Sequence, residues 1–409
     1  MKRVVITGVG SVTPIGNNIK TFYENMLLGQ SGVDYVTLFD ANEFSTKIAA
    51  EVKNFNPDDY IEKKDVRRMD RFCHFALAAT NEALLQSGLN ISENPEKTGV
   101  IIGCGIGGFG VTENQHSILL EKGNSRVSPL TIPMIIPNIA GAYVAIKYNA
   151  KGTNYCPVTA CASGTDAIGQ AFKLIQAGTL ESAICGGTES AITPLSFAGF
   201  CSLRAMSRHN EEPKKASRPF DAKRDGFVMG EGSGILILES LESAQKRKAN
   251  ILAEIKGYYS NCDAFHITLP EASGESIKKC MIGAVKDSGL NFSDIDYINA
   301  HGTSTEANDK TESMAIREVF YNQKEPFVSA LKSMTGHMLG ASGAIEAISC
   351  ILSLENNIIP PTINFETEDP NCNLNYVFNT FKETKLNNIL SNSFGFGGHN
   401  SSIVISRFN

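Results

Sequence analysis

The stretch Pro157-Val158-Thr159-Ala160-Cys161-Ala162-Ser163-Gly164-Thr165, continuing from Asp166 to Ile175, constrains the fold more than any other part of the chain. Its second part carries Gly164, Ile168, Ala171, Phe172 and Ile175 at helical spacing, so one face is apolar. Ala162, Ser163, Gly164, Ala167, Gly169 and Ala171 are all small, which lets other backbones approach closely. A helix of that kind belongs inside a large core. Cys161 sits where a tight turn becomes the helix. A thiol there meets unpaired backbone N–H groups and the positive end of the helix dipole, and both favour the thiolate, the attacking form. Most free cysteines are instead inert buried side chains, and this stretch alone leaves both readings open.

Composition narrows the class. The chain has 409 residues, 42% hydrophobic and 20% charged, which is ordinary for a globular protein of two or three domains or one two-lobed α/β unit. A formal charge of −6 supplies no overall basic field for nucleic acid. Ten cysteines without a Cys-x-x-Cys pair argue against zinc or a dithiol centre, and their spacing forms no disulfide framework, so a reducing compartment is expected. Met1 to Gly8 starts like a signal peptide, but Gly8, Gly10 and Thr13 break the apolar run, and a first strand is expected instead. The longest apolar region, Ile132 to Ile146, is interrupted by Pro133, Pro137, Asn138 and Gly141 and is too short to span a bilayer.

Apolar strands and helical segments alternate along the chain. Strands are expected near 2–7, 98–103, 182–187 and 234–239, with helices at 69–86 and 240–249. After about residue 250 the plan restarts, with strands at 252–258, 297–300 and 327–330, helices at 276–288 and 343–354, and paired strands to the end. The division is 1–249 and 250–409, and the alternation implies a parallel or mixed sheet covered by helices. Gly103-Cys104-Gly105-Ile106-Gly107-Gly108 matches the dinucleotide fingerprint in letters. A polar segment from Thr112 to His116 follows where a helix should start, and no strand ends in an acid, so the glycines read as a close-packed loop.

Two of the seven histidines stand out. His301 follows the strand in Asn299-Ala300-His301-Gly302-Thr303-Ser304-Thr305, and His337 lies in Lys332-Ser333-Met334-Thr335-Gly336-His337, also after a strand. Open α/β sheets place ligands at such carboxyl ends. No His-x-x-x-His or His-Glu-x-x-His pattern occurs, which disfavours a metal hydrolase. Ser329-Ala330-Leu331-Lys332 and Lys97-Thr98-Gly99 imitate β-lactamase motifs in the wrong order. In Ser391-Asn392-Ser393-Phe394-Gly395-Phe396-Gly397-Gly398, glycines around Phe396 leave N–H groups free to form an oxyanion hole, with the aromatic as a lid.

Together these segments resemble the β-ketoacyl-acyl-carrier-protein synthases, condensing enzymes of the thiolase fold, and most closely the elongating type II class. The likeness runs over Thr-Ala-Cys-Ala-Ser-Gly at Cys161, Arg-Pro-Phe-Asp and Arg-Asp-Gly-Phe-Val-x-Gly-Glu-Gly at 218–232, Asn-Ala-His-Gly-Thr-Ser-Thr at 299–305, Lys-Ser-x-x-Gly-His at 332–337 and Asn-Ser-Phe-Gly-Phe-Gly-Gly at 392–398. It implies a thiolase-like α/β fold: two similar βαβαβ-type halves forming a five-layered α-β-α-β-α core. It implies catalysis by Cys161, His301, His337 and Lys332, and an oxyanion hole of the Cys161 and Phe396 N–H groups, with Phe396 as gate. Substrate would meet Thr303, Thr305, Phe200, Phe394 and Ile106. A structural cation near Asn299, Glu346, Ser391 and Asn400, no cofactor, a homodimer and a cytoplasmic location are implied as well.

The activity so implied is elongation of a Cys-bound acyl chain by malonyl-carrier protein with loss of CO2. The alternatives are a polyketide-type ketosynthase, or a chain-length-factor partner, which typically lacks the nucleophile. A second histidine separates the chain from the initiating class, and Cys372 lies outside the glycine loop, unlike the second cysteine of thiolases. Glu306 departs from the Pro or Ala common in the family, and the link from His266 to Glu275 is short. An acidic carrier needs a local basic face. Lys63, Lys64, Arg67, Arg68 and Arg71 recur at three- and four-residue steps, so one helix is expected to gather them, with Arg126, Arg204 and Arg208 extending the patch.

Overall fold

The computed structural model describes residues 1–408. Its first half contributes strands β1 (Val4–Val12), β2 (Thr98–Gly103), β3 (Asn154–Tyr155), β4 (Ser182–Glu189) and β5 (Gly232–Ser240). The second contributes β6 (Ala253–Cys262), β7 (Tyr297–Asn299), β8 (Phe327–Ser329), β9 (Asn388–Gly395) and β10 (His399–Ser406). The first half's helices of ten residues or more are α1 (Arg71–Ser87), α2 (Phe109–Lys122), α3 (Ile139–Tyr148), α4 (Ser163–Gln176) and α5 (Pro194–Leu203). Those of the second are α6 (Glu275–Ser288), α7 (Glu306–Val319) and α8 (Ser342–Asn356).

The two sets of strands have one topology. Reading outward from the middle, the first runs β1-β5-β4-β2-β3 and the second β6-β10-β9-β7-β8. In each, the first two pairings are antiparallel and the last two parallel. A short antiparallel ladder, Val4↔Ile255 to Ile6↔Ala253, joins them into one ten-stranded run.

Helices α4 and α8 lie between the two sets and pack on each other and on strands of both, inside the largest apolar cluster. The contact is so close that only glycine fits. A Cβ on Gly164 would stand 2.8 Å from Gly340 O, and one on Gly343 would stand 2.0 Å from Thr165 Oγ1. Helices α1 and α3 cover the outer face of the first set, and α6 and α7 that of the second, each over its own apolar cluster. The small residues of 162–171 are therefore the middle layer of five.

Two local expectations fail. The segment 112–116 is helical, inside α2, which buries no residue and so lacks the apolar stripe that marks a helix in sequence. The basic run is not one helix. A single turn, Lys63–Val66, ends at Arg67, and α1 begins afresh at Arg71 behind its Asp70 cap. Arg71 turns inward and forms an ion pair with buried Glu231 at 2.7 Å. Among the described residues no helix is long and apolar enough to cross a membrane.

Candidate active site

The carboxyl end of β3 leads into a one-turn 3-10 helix, Ala160–Ala162, and then into α4. Ala160 has φ +50°, a strained conformation for a residue with a Cβ. Ser163 stabilises the turn: its Oγ accepts the Thr159 N–H at 2.9 Å and donates to Ala160 O at 2.7 Å. Asp166, in the first turn of α4, accepts the Thr159 hydroxyl at 2.5 Å and the Tyr258 hydroxyl at 2.9 Å. Cys161 is thereby presented, 8% exposed, at the floor of a cavity of about 500 Å³.

His301 and His337 arrive from the second half, the first just past the end of β7 and the second after the helical turn Lys332–Thr335 that follows β8. The Cys161 Sγ to His337 Nε2 distance is 2.9 Å, and the two imidazole centroids are 5.4 Å apart, edge to face. The partners of each ring assign its tautomer. The Leu339 backbone N–H, which can only donate, points at His337 Nδ1 from 3.3 Å. The Lys332 ammonium stands 3.3 Å from His301 Nδ1. Both Nδ1 atoms therefore accept, and both Nε2 atoms carry the proton. Burial first, and then the Lys332 charge, hold both imidazoles well below the usual histidine range, so they are neutral N–H donors at ordinary pH.

Buried carboxylates fix the frame. Glu346 on α8 is ion-paired with Lys332, both side chains being almost fully buried. Glu312 on α7 accepts the N–H groups of His301 and Gly302 at 2.8 and 2.9 Å. Burial pushes both acids up to about 7.

The sulfur does not rest as a thiolate. Burial pushes the Cys161 thiol up to about 11, although the Lys332 charge and the N–H groups of Phe396 and Cys161 itself pull the other way. Magnitudes explain why the helix mouth loses. A helix dipole contributes at most ~2 kcal/mol, about 1.5 pK units, whereas full burial moves a group by up to ~3–5 units. The same two N–H groups point at the Cys161 sulfur. Gly395 makes this approach possible, since a Cβ there would stand 2.9 Å from Thr159 O and 3.0 Å from Cys161 N.

The cavity wall gathers Ile106, Phe200, Phe394, Phe396, Thr303 and Thr305, all named from sequence. Phe396 lies 6.4 Å from Phe200, and Phe394 packs edge-on against His301 at 5.8 Å. Thr303 and Thr305 share a hydrogen bond of 2.9 Å near the mouth, beside exposed Arg204 and Glu306. The His266–Glu275 link crosses the Phe396 loop, with Gly397 N–H donating to Ile267 O at 2.6 Å.

Of the residues named for a cation, Asn299 donates to Ser391 Oγ at 3.2 Å. Glu346 keeps one buried oxygen, Oε2, without a partner, which suits a cation. Asn400 does not join them: its amide is held by Asp263 at 2.6 Å and Asn261 at 3.1 Å. Cys161, His301 and His337 bring possible ligand atoms within 4.8 Å of one another. Metal binding through either Nε2 would move its proton onto an Nδ1 already facing the Leu339 N–H or the Lys332 ammonium, so the trio is not built for a metal.

Sequence reading missed Glu312, Glu346 as the partner of Lys332, and Glu189, which accepts the N–H groups of Gly105 and Ile106 at 2.8 and 3.2 Å. Those are the donors a nucleotide phosphate would need in the glycine loop, and they are occupied.

The comparisons agree with this geometry. Residues 1–244 match the family description Beta-ketoacyl synthase, N-terminal domain, and residues 252–366 match Beta-ketoacyl synthase, C-terminal domain. A 3-oxoacyl-[acyl-carrier-protein] synthase 2 of Synechocystis sp. is 51% identical over all of this chain and 98% of its own. The solved ishigamide ketosynthase/chain length factor superposes with TM-score 0.93 at 35% identity. A ketosynthase solved with its type II PKS acyl-carrier protein superposes with TM-score 0.91 at 34% identity; both structures cover the whole of both chains. With its thiolase-like fold, its cysteine at the central helix mouth and two matched domain descriptions, the chain belongs to the β-ketoacyl synthase family.

Proposed function

We propose that the protein is a 3-oxoacyl-[acyl-carrier-protein] synthase, lengthening fatty acyl chains by decarboxylative Claisen condensation. One observation carries the reading: the Cys161 sulfur meets two imidazoles that both present Nε2–H, at the floor of a single apolar-walled cavity. In the first step Cys161 Sγ attacks the acyl-carrier thioester. The carbon–sulfur bond to the carrier arm breaks, and the Cys161 proton ends on the departing sulfur, so the exchange needs no net base. The N–H groups of Cys161 and Phe396 hold the tetrahedral oxyanion.

In the second step the malonyl thioester carbonyl lies between the two Nε2–H donors. CO2 leaves, and its bonding pair forms an enolate whose oxygen the imidazoles stabilise. The enolate carbon attacks the Cys161 thioester. The carbon–sulfur bond breaks, and the released Cys161 thiolate takes up one proton from water, the proton that the overall decarboxylative condensation consumes. Lys332 holds His301 in its tautomer. Ile106, Phe200 and Phe394 wall the acyl chain, Phe396 is its gate, and Thr303 and Thr305 meet the carrier arm.

The remaining assignments follow from this role. The halves divide at 249/250. Asn299, Ser391 and Glu346 would hold a structural cation, which would satisfy the bare Glu346 oxygen. Lys63, Lys64, Arg67, Arg68, Arg126 and Arg204 are all exposed and form the carrier-docking face. A homodimer is supported by the apolar residues Ile146 and Val158, each more than half exposed, in the segments that flank edge strand β3. Ten unpaired cysteines suit the cytoplasm. A polyketide role is favoured less, because identity to the fatty-acid-type relative is 51% against 34–35% to the two polyketide-related structures.

The test is an assay of the purified enzyme with malonyl-carrier and acyl-carrier primers of graded length. A 3-oxoacyl product two carbons longer is expected, and the epoxide cerulenin should modify Cys161 first among the ten cysteines. No condensation with any primer, or first modification elsewhere, would sink the proposal.

A further inference from the structure

Helix α8 begins as α4 does, with a 3-10 turn, Leu339–Ala341, whose first residue is strained, Leu339 at φ +46°. The place taken by Cys161 in the first turn is taken by Gly340 in the second. Its N–H does not face a substrate cavity. It donates at 3.0 Å to Glu189, the last residue of β4. The same carboxylate oxygen accepts the Gly105 N–H at 2.8 Å, and the other accepts the Ile106 N–H at 3.2 Å and the Cys104 thiol at 3.3 Å. Glu189 is fully buried and has no cationic partner among the described residues.

The fit around this carboxylate leaves no slack. A Cβ on Gly340 would stand 2.5 Å from Gly105 N and 2.9 Å from Glu189 Oε2, and one on Gly105 would stand 2.7 Å from that oxygen. Glu189 therefore clamps a loop of the first half to a loop of the second. The clamped peptide is next to the one whose N–H faces His337 Nδ1. A left-handed Leu relaxes toward ordinary φ unless something holds it. If Leu339 relaxed, its N–H would swing off Nδ1.

We infer that Glu189 is a positioning residue for the condensation: by gripping Gly340 and Gly105 it holds the Leu339 turn, and the turn holds His337 as a neutral Nε2–H donor. The inference rests on the condensing-enzyme reading above and adds to it a residue that touches no substrate. His337 itself faces the Cys161 thiol, the His301 and Phe227 rings, the Lys332 ammonium and, 3.0 Å from Nδ1, the Ser342 hydroxyl. That hydroxyl can donate to Nδ1 or accept a proton from it, so it is the Leu339 N–H, which can only donate, that keeps Nδ1 bare. Losing that donor frees Nδ1 to take up a proton.

The experiment compares Glu189→Ala and Glu189→Gln with the wild-type enzyme. For malonyl-carrier decarboxylation, Glu189→Ala should lower kcat by about 30-fold and change KM by less than about threefold, since it removes positioning and not binding. In a histidine-labelled sample, NMR titration should find His337 titrating well below the ordinary histidine range in the wild type and closer to it in Glu189→Ala. Glu189→Gln keeps an oxygen for Gly105 and Gly340 and should recover kcat to within about fivefold of wild type. An unchanged kcat and titration in Glu189→Ala, or a Gln variant no better than the Ala one, would overturn the inference. If Glu189→Ala does not fold, nitrogen NMR of the wild type decides: the Nε2–H form of His337 is required, and the Nδ1–H form overturns the inference. A wild type that does not decarboxylate malonyl-carrier would defeat the proposed function instead.

Discussion

Helices α4 and α8 occupy equivalent places in two sheets of the same strand order, and each opens on a 3-10 turn followed by Ser-Gly. Yet one mouth carries the sulfur of Cys161 over an open cavity, and the other carries bare Gly340 closed by the Glu189 carboxylate. The scaffold is shared; the chemistry lies in what fills each mouth. The halves also exchange parts. The histidines and Phe396 come from the second half and face Cys161 in the first, while every cation of the proposed docking face lies in the first.

Removing the sulfur tests this asymmetry most severely. Cys161→Ala should reduce condensation by at least on the order of 10³-fold, since no other group can carry the acyl chain. Cys161→Gln should still decarboxylate malonyl-carrier, because both imidazole donors belong to the other half. If Cys161→Ala retains more than about a tenth of wild-type condensation, the nucleophile lies elsewhere.

A second test concerns the state of the sulfur. With the thiol pushed up to about 11 by burial, the thiolate fraction grows with pH throughout the neutral range. Iodoacetamide alkylation of Cys161 should therefore rise about tenfold per pH unit from 7 to 9. A rate already level at pH 7 would mean that the helix mouth outweighs burial, and that the open mouth makes a standing thiolate after all.

The sequence made one side of the comparison legible and left the other dark. Cys161, His301, His337 and the Phe396 loop announce themselves because small residues and glycines cluster around groups at strand and helix ends, whereas Lys332 stands out only through the family likeness. Helix α2 was invisible because it buries nothing. Glu189 was invisible for a different reason. Its partners are backbone N–H groups 84 and 151 residues away, and no spacing rule links a carboxylate to an amide. Glu312 and Glu346 stayed hidden in the same way, in helices where acids usually face water. Arg71 was misplaced because its periodicity with Arg67 and Arg68 ignores the break at Asp70.

The smallest effect concerns the docking face, and it tests whether recognition belongs to the first half alone. Local acids already blunt the face: Lys63 lies 3.6 Å from Asp58, Lys64 2.7 Å from Glu62 and Arg68 3.4 Å from Asp65. Such exposed pairs contribute little each and are screened by salt. Arg67 forms no ion pair among the described residues, so its charge is free for an acidic carrier. Reversing Arg67 and Arg68 to Glu should raise KM for acyl-carrier about fivefold at low salt, with kcat unchanged, since rim charges act on encounter more than on chemistry. KM for an acyl-coenzyme A analogue should stay within about twofold, because its arm enters the same cavity without the carrier's acidic surface. Equal changes for both substrates would mean that these arginines act on the cavity and not on the carrier. Docking would then have to be sought beside the gate, on the second half.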